Sequence, residues 1–115
     1  MLKLWINFKE GWPIKLWVDD VRPAPGGYHW ARSVKDAIYQ IEWCERWECY
    51  GERIELLDID HDAGEFYHDG GDYIKLLDWL EETGRNYPIC IHSMNPVGVE
   101  NMRRIIEKNG WREIK

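Results

Sequence analysis

From Leu2 to Phe8 large apolar residues fall on the even positions, Leu2, Leu4, Ile6 and Phe8. That is the period of a strand with one face buried. Glu10-Gly11-Trp12-Pro13 breaks it, and Ile14 to Val18 predicts a second strand. The prolines and glycines of Arg22-Pro23-Ala24-Pro25-Gly26-Gly27 predict a loop, followed by a short extended piece between Tyr28 and Arg32. Ser33 is placed to cap a helix with Asp36 at its third position, and Val34, Ala37, Ile38, Ile41 and Cys44 or Glu45 follow the i, i+3, i+4, i+7 rhythm; this helix should stop before Gly51. Ile54 to Ile59 is apolar except for Glu55 and Asp58, as in a strand covered on both faces. After a loop over residues 63–71, Asp72 is the expected cap of a helix with Tyr73, Ile74, Leu77 and Leu80 as its stripe and Gly84 as its stop. Pro88 to Ile91 predicts the next strand. Asn95 and Pro96 supply a cap and a first-turn proline for a helix carrying Val99, Met102, Ile105 and Ile106, which ends at Gly110. Trp111 to Ile114 fits a last short strand.

Strands alternating with helices imply a parallel sheet wound right-handed, with helices on both faces. Three of the strands run into polar clusters: Asp19-Asp20-Val21-Arg22, Asp60-His61-Asp62 and His92-Ser93-Met94-Asn95-Pro96. As parallel neighbours these strands would open their carboxyl ends into one crevice, the place where open α/β sheets bind ligands.

The chain of 115 residues fits a single domain, able to bury about two thirds of its unfolded surface. A net charge of -6 argues against long duplex nucleic acid, since Lys and Arg neutralising phosphates dominate that affinity. It leaves open a small nucleotide, a strand end or a phosphate bridged by a metal. Eight tryptophans are too many for one small core, so some reach the surface, where a ring such as Trp12 or Trp30 could stack on a base. Cys44, Cys49 and Cys90 lack a metal spacing and read as reduced thiols of a cytoplasmic protein. No apolar run approaches the ~18 residues of a membrane span, and no signal-peptide pattern stands at the start.

Asp19, Asp20 and Asp60 offer hard oxygen ligands from two strand ends, the donor set of a divalent cation such as magnesium or manganese. Ionised carboxylates do not crowd together without a compensating cation. The bland reading has Asp20 or Asp62 capping a loop or pairing with Arg22. His61 and His92 carry the side chain suited to removing and donating protons near neutrality, and the plainer alternative makes either a structural partner or a ligand. Asn95 opens a helix whose free amides face the crevice, which suits a phosphate, and Ser93 adds a hydroxyl. Arg22 can pair with Asp62 or fork a phosphate oxygen. His29 and His68 fall in loop-like sequence and are expected at the surface.

The order of these motifs resembles the receiver domain of response regulators, with Asp19 and Asp20 after one strand, Asp60 after a central one and Ser93 after the next. A narrower likeness rests on Leu16-Trp17-Val18-Asp19-Asp20-Val21-Arg22-Pro23-Ala24-Pro25, Ile59-Asp60-His61-Asp62-Ala63-Gly64, Gly71-Asp72-Tyr73 and Ile91-His92-Ser93-Met94-Asn95-Pro96-Val97-Gly98. These look like the cyclic-phosphate processing receiver-like domains (cREC), over residues 14 to 107. The resemblance implies a flavodoxin-like sheet, an acidic metal pocket and histidines added at His61 and His92. It also implies a role in handling cyclic phosphates on nucleotides or RNA ends, in RNA repair or phage-host conflict. Residues 1–13 lie outside it, and their strand would lengthen the sheet or form the edge of a homodimer.

Three functions are therefore in view. The first is a metal-assisted phosphoesterase that opens a cyclic phosphate. In it Asp19, Asp20 and Asp60 hold the metal, His61 and His92 share acid and base work, and Arg22, Asp62, Ser93 and Asn95 contact the substrate. The second is a sponge that sequesters a cyclic nucleotide intact. The third is a stand-alone receiver phosphorylated on Asp60, to which the lack of a lysine followed by proline after a fifth strand is the objection.

Overall fold

A computed structural model describes residues 14–46 and 54–115. In chain order these form β1 (Ile14–Val18), β2 (His29–Ala31), α1 (Val34–Arg46), β3 (Ile54–Ile59), a 3-10 helix (Gly64–Asp69), α2 (Ile74–Glu82), β4 (Ile89–Ile91) and α3 (Pro96–Asn109). The four strands make one sheet in the order β2-β1-β3-β4, parallel throughout. The expected strand over Leu2 to Phe8 lies outside the described residues.

Alternation along β1 separates two environments. Ile14, Leu16 and Val18 are buried while Lys15 and Trp17 are partly exposed. Leu16 pairs with Leu57 and Val18 with Ile59, so these four side chains form one apolar floor. Against it pack Val34, Ala37 and Ile41 of α1, Leu76, Leu77 and Leu80 of α2, and Met102 and Ile106 of α3. Both crossovers step in the same direction across the sheet, so a right-handed path puts α1 and α2 on the same side, and α3 contacts α2. The parallel receiver-like sheet is thus as the sequence predicts, and the described helices form a single layer on one of its faces. The β1–β2 connection could have sent a helix to the other face, but its prolines and glycines keep it a loop.

Local signals hold with two exceptions. Ser33 Oγ accepts the Asp36 amide at 3.0 Å, and Asn95 accepts the Gly98 amide at 3.0 Å ahead of Pro96, so both expected caps are in place. Asp72, however, does not cap α2. Its carboxylate accepts the Ala63 amide at 3.0 Å, and the helix begins from Tyr73 without a side-chain cap. The side chain closes the loop over residues 63–72, and the start of the helix is served by the Asp72 carbonyl, which accepts the Lys75 amide at 2.9 Å. Trp111 to Ile114 makes only a single bridge, Glu113 beside Ile89. His29 and His68 are exposed, as expected.

Candidate functional site

Backbone hydrogen bonds align the site before any side chain acts. The Asp19 amide donates to Ala31 O at 3.1 Å, the Asp60 amide to Val18 O at 2.9 Å and the His92 amide to Ile59 O at 3.0 Å. Each residue is the first past its strand, tied to the last residue of its neighbour. Continuing the ladder by one step therefore gathers residues 19, 60 and 92 at one edge of the sheet, as the three strand-end motifs require.

One carboxylate oxygen from each of Asp19, Asp20 and Asp60 lies within 4.8 Å of the others. Asp19 is fully buried. Its Oδ1 accepts the amides of Val21 and Arg22 at 3.0 and 2.8 Å, and Asp60 Oδ1 accepts the amide of His61 at 2.8 Å. Burial, together with the charges of Asp19 and Asp60, raises the pKa of Asp20. Three hard oxygen donors at this spacing, one of them reluctant to ionise beside the others, fit a divalent cation. Gly64 makes room for Asp20: its φ is +54°, and a β-carbon there would collide with Asp20 Oδ2. Arg32 steadies the same loop by donating Nε and Nη2 to the Asp20 carbonyl at 3.1 and 2.7 Å. Its guanidinium lies 4.8 Å from the ring centres of both Trp30 and Phe66, a cation between two aromatic faces.

His92 is held on three sides. Nδ1 lies 2.6 Å from Asp58 Oδ1, Nε2 lies 2.9 Å from Asp19 Oδ2, and the ring stacks on Trp17 at 3.7 Å with an interplanar angle of 6°. A neutral imidazole has one N–H, so serving both carboxylates requires the doubly protonated ring. Burial lowers its pKa, but the bonds to Asp58 and Asp19 outweigh that and the net shift is upward.

His61 is placed differently. Its Nδ1 is 2.8 Å from Asp62 Oδ1, with the Asn95 amide nitrogen 3.5 Å from the ring and 3.4 Å from Asp62. The ring lies on the first turn of α3, and Asp72 joins His61 and Asp62 in a second group with potential ligand atoms within 4.8 Å of one another. Arg22 is half-exposed with Nε 3.8 Å from Asp19 Oδ2, so its ion pair is with Asp19 and not with Asp62. Ser93 Oγ accepts the Asn95 amide at 3.1 Å and shapes the entry to α3.

Three residues of the site, Asp58, Arg32 and Trp17, stand outside the strand-end motifs. A carboxylate inside an otherwise apolar strand was the available signal for Asp58, since a buried charge needs a partner. The tryptophans have structural duties at this edge: Trp17 Nε1 donates to Arg22 O at 2.8 Å and Trp30 Nε1 to Asp19 O at 2.9 Å. Burial and the neighbouring Asp58 push the Cys90 thiol up to about 11, which removes it as a thiolate nucleophile at neutral pH.

A parallel sheet in the order 2-1-3-4 with three acids clustered at its carboxyl edge defines a receiver-like α/β protein. More narrowly, residues 14–108 match the cyclic-phosphate processing receiver domain, and the chain belongs to that family. Comparison with curated proteins and with solved structures gave no match. Among the described residues no helix is long and apolar enough to cross a membrane.

Proposed function

We propose that the protein is a metal-assisted phosphoesterase that opens a cyclic phosphate by water attack, on a 2',3'-cyclic end or a small cyclic nucleotide. The observation that carries this reading is the pairing of a three-carboxylate cluster with an oriented histidine, His61, at the same sheet edge. A magnesium or manganese ion held by Asp19, Asp20 and Asp60 would neutralise charge developing on the phosphorus oxygens.

Asp62 occupies Nδ1 of His61, which leaves Nε2 as the acceptor for a proton from water. As the water oxygen bonds to phosphorus, the bond from phosphorus to one ribose oxygen breaks. The proton lost by water balances the one that the departing hydroxyl needs. His92 has both nitrogens engaged in the resting site, so it contributes a fixed positive charge beside Asp19. Asn95 and the Val97 amide would meet the phosphate, since Pro96 has no N–H and Asn95 already accepts the Gly98 and Val99 amides, with Ser93 and Arg22 at the margin. Val21 and Met94 in the loops after β1 and β4, Tyr67 in the 3-10 helix and Val97 in the first turn of α3 are exposed large apolar side chains, and they offer contact to a base or ribose.

The test is a panel of 2',3'-cyclic mononucleotides, 3',5'-cyclic mononucleotides and cyclic oligonucleotides, incubated with magnesium, with manganese and with EDTA. Metal-dependent opening of one class is the expected result, and no opening of any would overturn the reading. The constraint on His92 also favours a second reading, a sponge that binds the ligand without turnover. Ligand recovered intact from denatured protein would support it.

A further inference from the structure

We propose that Asp58 is a positioning residue of the acidic site: acting through the His92 ring, it fixes where the Asp19 carboxylate stands. The inference rests on reading Asp19 as part of a cation-holding cluster. Asp58 lies within β3, in register with Trp17 on one side and Cys90 on the other, and only 7% of its surface is exposed. A carboxylate so buried is costly unless it is paired. Its bond to His92 Nδ1, at 2.6 Å, is the shorter of the two that the ring makes. With Nδ1 held from below and one face of the ring stacked on Trp17, the imidazole has a single orientation, and that orientation delivers Nε2 to Asp19 Oδ2.

The amides of Val21 and Arg22 hold the other Asp19 oxygen, so the carboxylate is fixed at both ends. The chain Asp58, His92, Asp19 thus runs from the interior of the sheet to its carboxyl edge. Outer residues that orient a ligand usually cost ~10-fold to ~100-fold in metal affinity when removed. Asp58 does this at one further remove, through a histidine that orients a carboxylate.

The experiment compares wild type, Asp58→Asn, Asp58→Ala and Asp58→Ser by nitrogen-15 NMR of the histidine side chains in metal-free protein and by manganese binding followed with electron paramagnetic resonance. In wild type, His92 should show a hydrogen-bonded Nε2–H protected from exchange. Asp58→Ala should lose that signature and bind manganese about tenfold more weakly or worse. Asp58→Asn, whose amide oxygen can still accept the Nδ1–H, should keep both within about threefold. Should Asp58→Ala fail to fold, Asp58→Ser, too short to reach the ring, decides in its place. An unchanged His92 signature in a folded short-side-chain variant would overturn the proposal, as would unchanged manganese affinity. Wild type that takes up no manganese would overturn the metal reading instead, and the His92 spectrum would still decide the role of Asp58.

Discussion

The His61 ring and the backbone of Gly98 share a space that admits no side chain: a β-carbon at position 98 would stand 2.5 Å from Cγ and Cδ2 of the imidazole. Helix α3 therefore begins with a gap cut for a histidine from another strand end. Asn95 serves both sides of that gap, accepting the Gly98 amide while its own amide reaches His61 and Asp62.

Gly98→Ala should displace His61 and lower kcat by tenfold or more on the substrate that the panel identifies. Alanine is better than glycine within a helix by up to ~1 kcal/mol, so the melting temperature should move little. Kinetics beside thermal melts checks this, and wild-type kcat in the variant would remove His61 from the chemistry.

His92→Ala should abolish turnover and leave a folded protein. Residual activity above about a tenth of wild type would be too much for a charge that the reaction needs, given that losing one such electrostatic contact usually costs ~100-fold or more.

The same histidine gives stability a definite dependence on pH. Its folded pKa is raised, so its contribution is fully present below the ordinary histidine value of ~6.5 and is lost as pH rises through the folded value. The difference in melting temperature between wild type and His92→Gln should be largest in mild acid and shrink toward alkaline pH. A difference that grew with pH would contradict the charged, doubly bonded ring.

Asp20 has the opposite sense. Its raised pKa means that the folded, metal-free protein holds a proton there more tightly than the unfolded chain does, so ionising Asp20 weakens the fold. Asp20→Asn should raise the metal-free melting temperature by a few degrees and weaken manganese binding tenfold or more. In wild type, cation uptake should fall off on acidification at a higher pH than an ordinary carboxylate would set, and within that falling range it should release a proton. Calorimetry in buffers of different ionisation enthalpy reads that proton.

At the far end of the sheet Arg85 donates two hydrogen bonds of 2.8 Å to Glu45, packs over Trp79, and leaves Glu45 to accept from Tyr87 as well. Arg85 holds the Glu45 carboxyl below its ordinary pKa. Glu45→Gln should cost ~1–2 kcal/mol at neutral pH. That stability is present above the ordinary glutamate value and is lost as pH falls through the depressed one, so urea titrations of wild type and variant should converge in acid.

Strand ends, caps and breakers were readable from residue types alone because each acts over a few neighbours. Asp19, Asp60 and His92 meet because each directly follows an apolar run, and Asn95 caps because a proline follows it. What escaped was set by contacts between separate segments. Asp58 could not be matched to His92, 34 residues away, until the β3–β4 register was fixed. Asp72 looked like a local cap and instead spans nine positions to Ala63. Arg32 carries no local signal, since Phe66, which covers it opposite Trp30, comes from the 3-10 helix 34 positions on.

Because peptide groups align positions 19, 60 and 92, the side chains there can be exchanged while the socket that presents them stays intact. The backbone of His61 is tied in the same way, its carbonyl accepting the Tyr73 amide, so a protein silenced at His61 should remain a faithful bait, able to seize its natural partner and not let it react. Recovered from a cell extract, such a trap would carry its own answer to the question of substrate.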